Sequence, residues 1–174
     1  MAATLFLVVG LPGAGKTTYA RVLAAQRPAL RLTPDEWMIP LFAASDPDGR
    51  RAVLEGRLVW VALQLLDLGT DVVLDFGFWG RDERSSLRAL AATHGAGCRV
   101  VYLPVEPDEQ RERVARRWSE VPHETYPMSP AEMVTWRGRF EVPDEEELAG
   151  GPVPDPPAGW SGWAAWARDR WPSL

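Results

Sequence analysis

The chain has 174 residues, 46% apolar and 25% charged, with a formal net charge of −5 at pH 7 and a single cysteine. That composition excludes a disordered or collagen-like chain and a disulfide framework, and it argues against a non-specific nucleic-acid binder, which sets clustered Lys and Arg against many phosphates. The length suits one domain, which can bury roughly 70% of the surface its unfolded chain exposes.

Thr4 to Val9, TLFLVV, is a continuous apolar and β-branched run that predicts a central strand of a parallel sheet. It is far short of the ~20 residues a spanning helix needs. With Cys98 as the lone thiol, the expected setting is reducing and cytoplasmic, without a membrane segment. The strand runs into GLPGAGKT, Gly10 to Thr17, which is followed by the helical pattern TYARVLAAQ. Glycine, four residues, glycine, lysine and threonine form the spacing of a loop whose main-chain N–H groups cradle phosphates. Glycines let the backbone approach the anion, and the next helix turns the positive end of its dipole toward it. The predicted contacts to a nucleoside triphosphate are Gly10, Gly13, Ala14, Gly15, Lys16, Thr17 and Thr18. Lys16 reaches the β- and γ-phosphates, and the Thr17 hydroxyl ligates Mg²⁺. Of 19 basic side chains Lys16 is the only lysine, and it stands where the chemistry asks for a compact ammonium on a flexible stem.

Ala29 to Thr33 reads as a short strand and TPDEWMIPLF as a helix capped by Thr33, with Pro34 as its first residue. Asp35 falls at the C-terminal end of that strand, where a carboxylate can take the proton of an attacking hydroxyl; a helix N-terminus also favours a carboxylate for structural reasons alone. A loop, SDPDG, leads to a helical stripe from Arg50 to Leu68. Val72 to Leu74 is a buried strand closed by Asp75, a candidate for holding Mg²⁺ or its waters, with helix capping as the competing role. Phe76 follows it, so the second carboxylate of many hydrolytic motors is missing and a non-water acceptor fits better. The segment FGFWGRDER supplies Phe78, Arg81 and Arg84, which with Trp37 are the candidates for an acceptor pocket; for the aromatics, core packing is the alternative.

Arg81 to His94 predicts a helix and Cys98 to Leu103 a further strand. A basic helix begins at Pro107 and carries Arg111, Arg113, Arg116 and Arg117. Arg113 and Arg117 lie four apart, on one face, as candidate charges for a transferring phosphoryl group. Residues 116–130 are expected to form a lid, Pro130 to Phe140 a short helix, and 142–158 a poorly ordered acidic, Pro-rich linker. Residues 159–172 read as a Trp-rich helix with Trp160, Trp163 and Trp166 on one face, there to pack on the domain or to meet a partner. His94 and His123 have no metal-ligand spacing.

Alternating strands and helices predict an α/β, doubly wound, mostly parallel sheet with flanking helices and a helical lid, its site beyond the strand C-terminal ends. GLPGAGKTT, then the Asp of TPDEW, then LDFGFWGRDER, then the arginine-rich helix, in that order from residue 4 to about 140, resemble small P-loop kinases. These are the group of polynucleotide 5′-kinase domains, chloramphenicol phosphotransferases and zeta toxins. The resemblance implies a P-loop NTPase fold and an ATP- and Mg²⁺-dependent phosphotransferase, with Asp35 as the base on the acceptor hydroxyl and Arg113 or Arg117 as the lid arginine. The polynucleotide kinases carry a basic residue soon after that Asp, where this chain has Trp37 and Met38, so the expected acceptor is a small molecule rather than DNA or RNA. The alternatives are a polynucleotide 5′-hydroxyl kinase and an ATP-binding regulatory module without transfer activity.

Overall fold

Leu5, Leu7 and Val9 point to one side of β1 (Thr4–Val9), Phe6 and Val8 to the other, and all five are buried. A strand apolar on both faces must lie inside a sheet covered on both faces. The computed structural model, which describes residues 2–121, 125 and 127–174, places β1 in such a position. The sheet order is β2 (Ala29–Leu32), β3 (Asp71–Gly77), β1, β4 (Gly97–Tyr102), with every described pairing parallel. Leu5 is level with Val72 on one side and with Cys98 on the other. The β1–β3 register shifts between Leu7 and Val9, at the point where both strands run into their functional loops.

Helices α3 (Arg50–Asp67) and α4 (Arg81–Thr93) cover the Leu5 face through Leu58, Val59, Ala62, Leu66, Leu87 and Ala91. Helix α1 (Lys16–Gln26) covers the Phe6 face with Ala20 and Leu23. Cys98, on β4, has its thiol pushed up to about 12 by burial, against the pull of Arg88.

The remaining elements are α2 (Asp35–Phe42), a 3-10 turn (Pro47–Gly49), α5 (Pro107–Glu120), α6 (Pro130–Arg139), α7 (Glu145–Leu148) and α8 (Trp163–Arg170). Pro34 already has helical dihedrals and no side chain caps α2, so the expected Thr33 cap is not formed. Ser129 and Glu132 cap α6 reciprocally. The expected lid, 116–130, falls partly outside the described residues, as does His123.

Residues 142–158 differ most from expectation. Instead of a loose linker they contain α7, capped by Asp144, and its Glu147 is buried against the fully buried Arg84 of α4. Low apolar content misled because the acidic residue is neutralised by a partner 63 positions away. The tail packs on the domain. Trp163 and Trp171 are buried, and Trp166 makes edge contacts with both. The helix begins only at Trp163, so Trp160 precedes the face it was expected to share.

Candidate active site

Parallel pairing brings Gly10, Thr33, Phe78 and Leu103, the residues that follow the four strands, to one edge of the sheet. The glycine-rich loop is built there by close approach. A Cβ at Gly10 would stand 2.8 Å from the Leu103 carbonyl oxygen, and Gly13 and Gly15 hold φ of +82° and +89°. Gly13 also lies against Val114 of α5. Ala14 is buried in the turn closed by its N–H on the Leu11 carbonyl, and Thr18 is exposed on the first turn of α1.

One face of α5 grips this loop. Gln110, buried, donates from Nε2 to the Pro12 carbonyl at 3.0 Å, and Arg113 donates from Nη1 to the Gly13 carbonyl at 3.2 Å. The same Gln110 accepts from Arg137 of α6 at 2.7 Å. Arg117 continues the face and is close enough to disfavour a second cation at Lys16. Gln110→Ala would remove the partner of the Pro12 carbonyl and one of the two acceptors of Arg137, which keeps the Val105 carbonyl. We expect a loss of about 1–3 kcal/mol in unfolding free energy, together with weaker nucleotide binding by calorimetry.

Lys16, first residue of α1, donates from Nζ to the Leu11 carbonyl at 3.0 Å. Burial pulls its pKa below the ordinary lysine value, while Asp75 and Asp35 pull it back up and Arg117 and Arg51 press it down. Asp75, buried near the end of β3, has its pKa raised by burial. The opposing influences are Lys16, a hydrogen bond from the Thr17 hydroxyl, and Arg31, whose Nη1 lies 3.3 Å from Oδ2. Arg31 also pairs with Glu36, which Arg21 contacts from α1. Asp35 opens α2 and is half-exposed; its Oδ1 accepts from Arg51 Nη1 at 2.9 Å. Although burial opposes it, Asp35 and Glu55 hold the Arg51 pKa above its ordinary value. Four elements therefore converge on one charged cluster: Lys16 with Thr17 from α1, Asp75 from β3, Asp35 from α2 and Arg51 from α3.

The expected acceptor residues do not all join it. Phe78 is buried and stacks on Phe76 with centroids 5.1 Å apart, its φ of +43° turning the ring back into the core. Arg84 is fully buried, bonded to Glu147 and to the Phe78 carbonyl. Both belong to the fold and not to an acceptor pocket; a buried guanidinium needs a carboxylate, and Glu147 supplies it. Arg81 pairs with Asp144 at 3.0 Å. Trp37 is exposed but stands two residues beyond Asp35 on the same helix, about 200° around its axis. Arg51, Arg31 and Gln110 were missed. Only the i,i+4 pair Arg51–Glu55 left a local signal, and that spacing more commonly marks a solvated face.

A parallel sheet whose central strand feeds a glycine-rich loop and a helix bearing Lys16 and Thr17 defines a P-loop protein of the kinase-like class. The chain belongs to the AAA_33 family, described as an AAA domain, which matches residues 5–142. No curated protein matches the sequence. Among solved structures it is similar to a candidate kinase from Chloroflexus aurantiacus J-10-fl: 21% identity, 90% of this chain and 86% of that one, TM-score 0.68. It is similar as well to Kti12 of Chaetomium thermophilum in complex with ADP-AlF3, at 19% identity over 97% and 95% of the two chains, TM-score 0.68. A chain of the Pnkp1/Rnl/Hen1 RNA repair complex matches at 17% identity and TM-score 0.64, over 79% of this chain and 43% of that one. At these identities the likeness is one of fold. Among the described residues no helix is long and apolar enough to cross a membrane.

Proposed function

We propose that the chain transfers the γ-phosphoryl group of ATP, with Mg²⁺, to a hydroxyl of a small molecule. The observation that carries this reading is the electrostatic reach of Lys16 to both Asp35 and Asp75, which come from different strand ends. The Lys16 ammonium thus feels both a carboxylate that can serve a metal and one that can take a proton.

The site fits Mg²⁺. The Thr17 hydroxyl and the Asp75 carboxylate are adjacent hard oxygen donors. No cluster of three His, Cys, Asp or Glu is found among the described residues, in keeping with an ion that leaves most positions to water and phosphate oxygens. When bound, the ion neutralises charge on the β- and γ-phosphates. The loop from Gly10 to Gly15 holds the polyphosphate by its amides, and Lys16 follows the charge of the moving group. Arg113 and Arg117 flank the loop from α5. Asp35 accepts the acceptor's hydroxyl proton as its oxygen bonds to the γ-phosphorus and the bridging oxygen leaves with ADP.

The relation to a chain of an RNA repair complex makes a polynucleotide 5′-hydroxyl the second reading. Against it stand Trp37 and Met38 in place of a basic residue. The test is transfer of label from γ-labelled ATP to a panel of sugars, nucleosides, amino alcohols and a 5′-hydroxyl oligonucleotide. Label is expected on a small molecule, and label on the oligonucleotide alone would replace the first reading by the second. Free phosphate as the sole product would reject transfer. Asp35→Asn should lower turnover by about 10²-fold or more and leave ATP affinity within a few-fold of the original.

A further inference from the structure

Asp35 is tied to the far end of the chain by polar side chains. Arg51, which bonds Asp35 through Nη1, also donates from Nε to Glu55 Oε1 at 3.0 Å. Glu55 is buried, and its other oxygen accepts from the Trp171 indole N–H at 3.2 Å and faces Arg170 Nη2 at 3.5 Å. Arg170 is fixed in turn by Glu83, which caps α4 through the Gly80 N–H. Helix α3 is shaped to receive this segment. A Cβ at Gly56 would stand 2.4 Å from Ser173 Oγ and 3.2 Å from both the Leu174 nitrogen and Trp171 Cβ.

A glycine inside an 18-residue helix weakens the helix relative to alanine, and a buried carboxylate is costly to keep where an apolar side chain could pack. Both features have one explanation if the tail must reach Glu55. The segment lies beyond residue 142, where the family match ends.

We propose that Arg170 and Trp171, acting through Glu55, position Arg51 on Asp35, so that the C-terminal segment is part of the acceptor side of the site. Arg51, Glu55, Arg170 and Trp171 are positioning residues. The inference deepens the reading of Asp35 as the base and rests on it. Trp171→Phe keeps the aromatic bulk and removes the N–H donor; Glu55→Gln keeps the shape and removes the charge. In the full chain two quantities are measured. One is solvent exchange of the Arg51 Nε–H by NMR, its signal assigned by its loss in Arg51→Lys; the other is turnover of MgATP, with water as the standing acceptor.

Both variants are expected to speed Arg51 Nε–H exchange severalfold. Turnover should fall about 5- to 20-fold, as misplacement of a reacting group does, with MgATP affinity little changed. Glu55→Gln also lowers the melting temperature, since it breaks a buried ion pair from one side, and turnover is compared at a temperature where every variant is folded. An unchanged Arg51 signal overturns the proposal. So does a loosened Arg51 whose turnover stays at the original level while Asp35→Asn abolishes it. If Asp35→Asn itself leaves turnover intact, the assignment of the base has failed, and the Arg51 signal alone decides whether the tail holds that arginine. Should Trp171→Phe not fold, Glu55→Gln carries the same comparison.

Discussion

Lys16→Met is expected to lower phosphoryl transfer by about 10²–10³-fold, the range seen when a preorganised group facing transition-state charge is removed. Methionine keeps the length of the stem and loses only the ammonium. The folded chain should tolerate the change. Thr17 and Arg31 still face Asp75, and Arg51 still bonds Asp35. The lowered pKa of Lys16 supplies a separate check. A lysine that binds its proton less tightly when folded than when unfolded opposes folding while it is charged. Stability therefore rises with pH between the folded pKa and the ordinary 10.5, because the unfolded chain holds more protons there. In Lys16→Met that rise should be missing from thermal unfolding curves recorded up to about pH 10.5. Binding of phosphates stabilises the charged form, so in alkaline solution the original chain should take up a proton with nucleotide and the variant should not. Calorimetry in buffers of different ionisation heat separates the two. Near-normal transfer in the variant would remove Lys16 from the mechanism.

Arg84→Ala is expected to destabilise the domain by about 3–5 kcal/mol, the range for breaking a buried ion pair from one side. Its guanidinium lies at 0% exposure, with Nη2 3.1 Å from Glu147 Oε2 and Nη1 3.0 Å from the Phe78 carbonyl. Without it Glu147 keeps a buried charge and the loop after β3 loses its tie to α7. Changing the pair together to Met and Leu should recover most of the loss, because the desolvation of both ions is then avoided. Denaturant titration of the single and double variants measures this. A single change costing less than about 1 kcal/mol would mean that solvent reaches Glu147 after all.

The same pair marks the limit of what the sequence disclosed. From β1 through the glycine-rich loop into α1 the chemistry is local: a strand, a turn needing positive φ, and a cation on the first helical turn all lie within 14 residues, Thr4 to Thr17. Asp75 and Asp35 were legible because each comes at or just beyond the end of an apolar run, Val72 to Leu74 for the first and the strand Ala29–Leu32 for the second. Arg81, Arg84 and Phe78 were read as facing a substrate, since an arginine-rich aromatic loop at a strand end has that look. Phe78 packs in the core against Phe76, and Arg84 faces inward because of Glu147 on α7, 63 positions on, in a stretch that composition had marked as loose. Arg51 escaped for the same reason. Its partner Asp35 is 16 residues away, across a loop whose path no periodicity reveals. The strand order β2-β3-β1-β4 likewise rests on pairings distant in the chain.

The state of Cys98 has a practical side. A thiol held at about 12 keeps its thiolate fraction at neutral pH some three orders of magnitude or more below that of an ordinary cysteine, and no other cysteine is present in the sequence. A cysteine introduced on an exposed face, at Leu68 or Trp160 for instance, is thus a unique handle for a fluorophore or spin label, with no background substitution required.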